Sequence, residues 1–433
     1  MADALQEETA DVLSRLIRFD TVNPPGNERA CQEWLRDYLT DAGLECELDG
    51  TEPERPNLVA TLAGEQPGPV LGYLSHVDTV LADAASWTHD PWSGEIHDGF
   101  LWGRGALDMK SQTAAEAVAA ARLAREGWRP SKGALKVFSV VDEETGGVKG
   151  AKWLCENRPD LARADFLLNE GAGTLMPYGD RRLHGVCCAE KGTFRFAVRA
   201  RGRAGHASVP ATADNALLKL APAIERLGSR KPPYDVTDEP RAFLRAIGED
   251  PDDPEGALGR IAGVDPRLAA LFEPTLGVTV APTIVSAGEK INVIPARAEL
   301  LVDCRVPPGM GAEATMARIR ALLDGLDGLE VEFIEQVVGN RSPIESPLMD
   351  AIRDWVGQDD GAEAVPVMLP AFTDSRHWRD AFPDCIAYGF FPQRHQTLYD
   401  AWPLIHSDDE RIDVRDLGIA AEFFHELPRR LLS

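Results

Sequence analysis

Positive charge is scarce in this chain of 433 residues, with 45 Lys+Arg against 70 Asp+Glu and a formal net charge of −25. A surface of that sign repels the phosphates of nucleic acids and the headgroups of anionic lipids, so neither is expected as a partner. Long apolar runs are missing too, and nothing approaches the roughly 18 residues that a membrane span needs. The opening MADALQEETADVLSRLIRF lacks the basic and apolar regions of a secretion signal and has helical period, so a cytoplasmic protein is expected. The seven cysteines (Cys31, Cys46, Cys155, Cys187, Cys188, Cys304 and Cys385) are odd in number and form no CxxC pair. That disfavours a disulfide framework or a thiolate zinc site, and it suits a reducing compartment. No G-x-S-x-G elbow is present and no cysteine has a site-like setting, so covalent catalysis ranks low.

What remains is an ordinary globular composition, 44% hydrophobic and 27% charged, in a chain too long for one core. Residues 4–18 and 28–43 have the period of amphipathic helices, with the turn Asn23-Pro24-Pro25-Gly26 between them. Short apolar runs at 57–62, 70–75, 135–141 and 165–168 read as strands, with helical stretches at 111–125 and 147–156. Strands alternating with helices predict an α/β layer, a mostly parallel sheet sandwiched by helices. Near residue 190 the pattern changes. Alternation at 193–201, a helix at 215–227, a Pro-, Asp- and Gly-rich insertion at 229–270, strands at 277–286 and 296–305, a helix at 312–323 and a strand at 329–335 suggest an inserted α+β domain. The chain returns to the first domain with 348–356 and 384–389, giving expected boundaries of 1–189, 190–340 and 341–433.

Carboxylates and a histidine gather at the ends of the first-domain strands. They are His76 and Asp78 in SHVD, Asp108 in GRGALDMK, Glu143 and Glu144 in DEETGG, and Glu170 in NEG. Alone, each is ambiguous. A His-x-Asp pair can be a surface pair, Glu-Glu a solvated run, Asp108 a salt bridge to Lys110, and Glu170 a turn cap. Together, at the carboxyl edge of an α/β sheet, they concentrate negative charge that a divalent metal would relieve.

The segments SHVDTV, DPWSGEIHDGFLWGRGALDMK, DEETGG, GRAGHASVP, GEKINVIPARAELLVDCRVPPG, TDSRHW and IHSDDERI occur in an order that resembles one family. It is that of the dizinc metallopeptidases, including acetylornithine deacetylase, succinyl-diaminopimelate desuccinylase, aminoacylase, carboxypeptidase S and glutamate carboxypeptidase. The resemblance spans nearly the whole chain. It implies a zinc-peptidase-like catalytic domain with an inserted lid and dimerisation domain. It implies two Zn2+ ions, replaceable by Co2+ or Mn2+. His76 and Glu170 would hold one, Glu144 and His406 the other, and Asp108 would bridge them. Asp78 would orient His76, and Glu143 would be the general base for water attack on an amide. The Asp108–Met109 bond is expected to be cis.

In the lid, His206 matches a histidine that reaches a neighbouring active site, and Asn292 a substrate-contacting amide. Arg305 and Arg376 could each bind a substrate carboxylate, with a structural ion pair as the competing role. The remaining histidines and the tryptophans are expected to be structural. The long 229–270 insertion and TDSRHW point toward carboxypeptidase S-like and aminoacylase-like members. Glu at position 170 goes with deacylases and carboxypeptidases in the family. The implied reaction is therefore hydrolysis of an N-acyl amino acid or of a small peptide's C-terminal residue, by a homodimer. An aminopeptidase or dipeptidase on the same fold, and a catalytically silent binding protein, are the alternatives.

Overall fold

The computed structural model describes residues 2–359 and 361–432, which form two compact units. The first is built from the chain up to Cys188, from Ser342–Val367 and from the chain after Thr373. The second takes in Ala189–Arg341 and a short later excursion, Met368–Phe372. The sequence reading has a single insertion. The second excursion arises because the strand Ala362–Leu369 runs on into this unit, where Lys191 donates its backbone N–H to the Leu369 carbonyl at 3.1 Å.

In the first unit a large sheet is parallel at its centre, in the order Ala134–Val140, Val70–His76, Phe166–Asn169 and Ile386–Gly389. The outer strands Glu45–Asp49 and Asn57–Ala63 join it antiparallel, as does Arg181–Glu190 at the far side. The central strands alternate between two buried faces. Leu71, Tyr73, Leu135 and Val137 face a core shared with the helices Ala2–Ile17, Arg29–Ala42, Lys110–Arg125 and Val414–Leu431. Leu74, Phe138 and Val140 face the opposite core with Leu154 and Trp378. Lys110–Arg125 is buried along almost its whole length, and its run of alanines lets it lie close beneath its neighbours.

Register fixes where the chemistry falls. His76 pairs with Val140 and Leu168 with Tyr73, so the carboxyl ends of three neighbouring parallel strands meet at one edge. Just past those ends come Asp142, Glu143, Glu144 and Glu170. Side-chain positions separated by about 95 residues of sequence thus become neighbours because parallel pairing needs long crossovers.

The second unit has a five-stranded antiparallel sheet of Gly192–Thr193, Phe196–Arg201, Thr279–Ala287, Arg297–Val306 and Leu329–Phe333. One face packs on the helices Ala216–Ser229 and Ala312–Leu322. The Pro- and Asp-rich insertion is helical: Asp238–Ile247, Pro254–Val264 and Pro266–Phe272. Its composition explains the form. Asp253 and Asp265 cap the second and third helices through their carboxylates, each with a proline in the first turn. Phe243 and Phe272 close its small core with ring centroids 4.7 Å apart.

Candidate metal centre

At the sheet edge of the first unit, Asp108 faces two imidazoles with its two oxygens. Its Oδ1 lies 3.2 Å from His76 Nε2 and its Oδ2 lies 3.1 Å from His406 Nε2. Glu170 Oε1 is 3.7 Å from His76 Nε2, and Glu144 Oε2 is 3.2 Å from His406 Nε2. The candidate ligands fall into two overlapping groups, His76–Glu143–Glu170 and His76–Asp108–Glu144, within each of which one ligand atom per residue lies within 4.8 Å of the others. The Asp108–Met109 peptide is cis. Six of the sequence-predicted residues, His76, Asp108, Glu143, Glu144, Glu170 and His406, are therefore brought together. His406 arrives from the returning segment in a left-handed backbone conformation, φ 60°.

Around the ligands runs a buried polar scaffold. His76 Nδ1 is 2.9 Å from the Asp78 carbonyl and 3.5 Å from that residue's Oδ1, so the carbonyl is the nearer acceptor that turns Nε2 toward the cluster. The Asp78 carboxylate instead organises the loop across from it. It accepts the backbone N–H of Glu143 at 3.2 Å, that of Glu144 at 3.1 Å and the Asn23 side-chain amide at 2.8 Å. Asp142, in a left-handed conformation at φ 73°, accepts from Arg55 and Thr145. Arg55 in turn meets Glu28, and all three of these charged side chains are buried. The sequence assigns no site role to Glu28 or Arg55, nor to Asn23 and Asp142 beyond the turn and the acidic motif in which they stand. The links from Asn23 to Asp78, Arg55 to Asp142 and Arg55 to Glu28 span 55, 87 and 27 residues of sequence, and no local pattern announces such pairs.

The electrostatics test whether cations fit here. Burial raises the Glu143 carboxyl well above its ordinary range, and the Glu170 charge adds to this. Burial and the Asp108 charge do the same to Glu170. Hydrogen bonds from its ring to the Asp108 and Glu144 carboxylates push His406 up to about 10. Burial opposes charging of His76, but Asp108, Asp78 and Glu170 outweigh it and hold the imidazole well above its usual value. Raised proton affinity on both imidazoles and on the acids around them marks a cluster that draws positive charge. Glu144 Oε1 is buried without a hydrogen-bond partner. Imidazole and carboxylate donors, one carboxylate addressed from both sides and one orphaned anionic oxygen fit a pair of divalent ions, which compete with protons for such groups.

A further acid, Asp374 of TDSRHW, is buried nearby, and that burial lifts it to about 7. Arg376 donates to the Gly146 carbonyl at 2.9 Å, next to the loop that carries Glu143 and Glu144. In the second unit, His206 and Val293 pair across a two-stranded ribbon, and Ala207 N–H donates to the Asn292 carbonyl at 3.0 Å. His206 and Asn292 therefore sit together, both exposed. Arg305 lies on the strand Arg297–Val306, where it pairs with Asp303 at 2.8 Å, bonds Thr193 and covers the Phe372 ring. The Asp303 pairing is the role that competes with substrate binding for this residue.

Comparison with known proteins places this geometry in context. The sequence model described as peptidase family M20/M25/M40 matches residues 72–430. A succinyl-diaminopimelate desuccinylase of Methylorubrum extorquens is 31% identical over 416 residues, covering 93% of each chain. A probable carboxypeptidase S-like protein of Dictyostelium discoideum is 26% identical over 379 residues, 82% of this chain and 70% of its own. In fold, the chain is similar to an M20 family metallo-carboxypeptidase from Sulfolobus solfataricus. The TM-score is 0.74 at 19% identity, over 97% of this chain and 98% of that one.

Proposed function

Since the chain belongs to peptidase family M20/M25/M40 and is a metallo-hydrolase of amide or peptide bonds, we propose that its substrates are N-acyl amino acids or small peptides cleaved at the C-terminal residue. The observation that carries the reading is Asp108 addressed by His76 on one oxygen and His406 on the other, with Glu143 beside the first imidazole. His76 and Glu170 would hold one divalent ion and Glu144 and His406 the second, with Asp108 between them. Zinc is the expected metal, with cobalt or manganese as substitutes. When bound, such ions supply Lewis acidity to the scissile carbonyl and lower the pKa of the attacking water.

The chain's own residues do the rest. Glu143 accepts the proton of the attacking water at its carboxylate and returns it to the leaving nitrogen. Burial beside Glu170 raises the Glu143 proton affinity, which favours this role over a permanently ionised carboxylate. Asp78 holds the Glu143 and Glu144 amides and so sets the height of the base above the ligands. Arg376 stands by the same loop and is the candidate partner for a substrate carboxylate. His206, Asn292 and Arg305 are the candidate contacts contributed by the second unit. A homodimer formed through that unit and a cytoplasmic location complete the reading.

The test is hydrolysis of N-acetyl and N-succinyl amino acids, C-terminally cleavable dipeptides and aminopeptidase substrates by the zinc-loaded protein beside Glu143→Ala. The expected result is cleavage of one of the first three classes, and a variant that keeps its metal yet is slower by at least 10²-fold. Preference for free-amino-terminal substrates would move the assignment to an aminopeptidase or dipeptidase. No cleavage by metal-replete protein across the panel would favour a binding role.

A further inference from the structure

Glu410 is fully buried and was given no role by the sequence. Its Oε1 accepts the backbone N–H of Leu107 at 2.6 Å and of Asp108 at 3.0 Å. Its Oε2 accepts the N–H of Gly105 at 3.1 Å and faces Arg104 Nη1 at 2.7 Å. The Glu410 carbonyl also takes the Gly103 N–H at 3.0 Å. Arg104 is itself fixed, stacked on the Trp87 ring at 5.3 Å with its N–H on the Pro91 carbonyl. One carboxylate thus gathers three consecutive-loop amides and a guanidinium, charge-assisted bonds of the stronger kind. The loop it gathers ends in Asp108. Glu410 itself stands four residues after His406, on the same returning segment.

From this geometry we infer that Glu410 is a positioning residue that sets the second of the two cation positions, by tying the Asp108 loop to the segment that carries His406. The inference rests on the two-metal reading above. His76 and Glu170 end neighbouring parallel strands, and the sheet itself holds them. Asp108 and His406 lie in two loops that leave a small sheet, where Arg411–Asp413 pairs antiparallel with Phe100–Trp102, and neither residue is on those strands. They are 298 residues apart in the chain, and the Glu410 side chain carries the tie beyond that pairing to the amides of Gly105, Leu107 and Asp108 itself. Replacing it by glutamine keeps the shape but turns one oxygen into an N–H donor that faces donors. The damage should fall on the second position while the first is kept.

The experiment titrates metal-free protein with Co2+, following visible absorption and heat, for wild type, Glu410→Gln and His406→Ala. Wild type should take two equivalents. Glu410→Gln should take the first as wild type does and bind the second about 10–100-fold more weakly, as loss of a ligand-orienting partner generally causes, and so resemble His406→Ala. Two unaltered equivalents in Glu410→Gln overturn the inference and leave the two-metal reading standing. Equal weakening of both equivalents also overturns it, since the carboxylate would then support the fold at large. Fewer than two equivalents in wild type removes the two-metal reading and this inference with it. If Glu410→Gln does not fold, hydrogen exchange of metal-free wild type decides. Slow exchange at the Gly105, Leu107 and Asp108 amides supports the clasp, and exchange as fast as in open loops overturns it.

Discussion

Arg55 lies between two buried carboxylates, 2.7 Å from Glu28 Oε1 and 3.0 Å from Asp142 Oδ1. Asp142 immediately precedes the proposed base, so the guanidinium supports the loop that presents Glu143. Arg55→Met would leave both acids buried and uncompensated. Breaking a buried pair from one side costs about 3–5 kcal/mol, and urea unfolding should show a loss of that order. Arg55→Lys keeps the charge but not the fork that reaches both partners, and should fall between. A loss of under about 1 kcal/mol for Arg55→Met would show that the triad does not hold the loop.

Glu116 is fully buried on the helix Lys110–Arg125, with the Gln112 amide donating to it at 2.8 Å. Burial raises its carboxyl to about 8, against the pull of Gln112 and Ser75 in the other direction. An acid whose folded-state pKa exceeds its unfolded value contributes stability that is complete below the unfolded pKa and lost as pH rises through the folded one. From the ordinary glutamate value of 4.5 to about 8, therefore, Glu116 should weaken the fold progressively as pH rises. Glu116→Gln removes this titration. Its melting temperature should match wild type near pH 4.5 and exceed it from pH 8 upward. A constant offset across that range would mean that Glu116 is not the titrating group.

Chelation should destabilise the enzyme most in alkali. In the metal-free site, Glu143, Glu170, His76 and His406 all have raised proton affinities. Each of these contributions is present at low pH and lost as pH climbs, His406 through about 10. Bound cations take over from the lost protons, and their binding strengthens as those protons leave. The gap in melting temperature between metal-loaded and EDTA-treated protein should widen from pH 6 to pH 9. At a metal concentration of 1,000 Kd the gap corresponds to about 4 kcal/mol. A gap that narrows with pH would contradict the assignment of these residues as ligands.

The proposed ligand set was legible because of where its members stand. His76, Glu143, Glu144 and Glu170 each follow an apolar run, and the parallel register brings those runs' ends together. What was not legible is what holds them. Arg55, Asn23 and Glu410 look like ordinary loop residues, and their work depends on partners brought close only by the tertiary fold. The fold followed the same rule. The central strands could be read from their apolar runs, whereas Glu45–Asp49, half-buried at a sheet edge, carries little periodic signal. The insertion's helices were hidden by their prolines, which here start helices rather than interrupt them.

In the second unit the strand Thr279–Ala287 pairs with Arg297–Val306 and, among the described residues, with no other named strand. Its neighbours Ile284 and Val285 are 58% and 54% exposed, just past a register shift at Pro282 and Ile284. Leu218, on the helix Ala216–Ser229, is 69% exposed. An open strand edge with apolar side chains on both faces is a site for chain-to-chain pairing, and proteins ordinarily blunt such edges with charge. If the proposed homodimer uses this edge, light scattering should give wild type a mass of twice 47.2 kDa. Val285→Lys combined with Leu218→Glu should halve it without lowering the melting temperature of the monomer, because neither side chain is part of the unit's core. A wild type that runs as a single chain at micromolar concentration would leave the exposed edge without this explanation. A double variant that remains dimeric would place the interface on another surface.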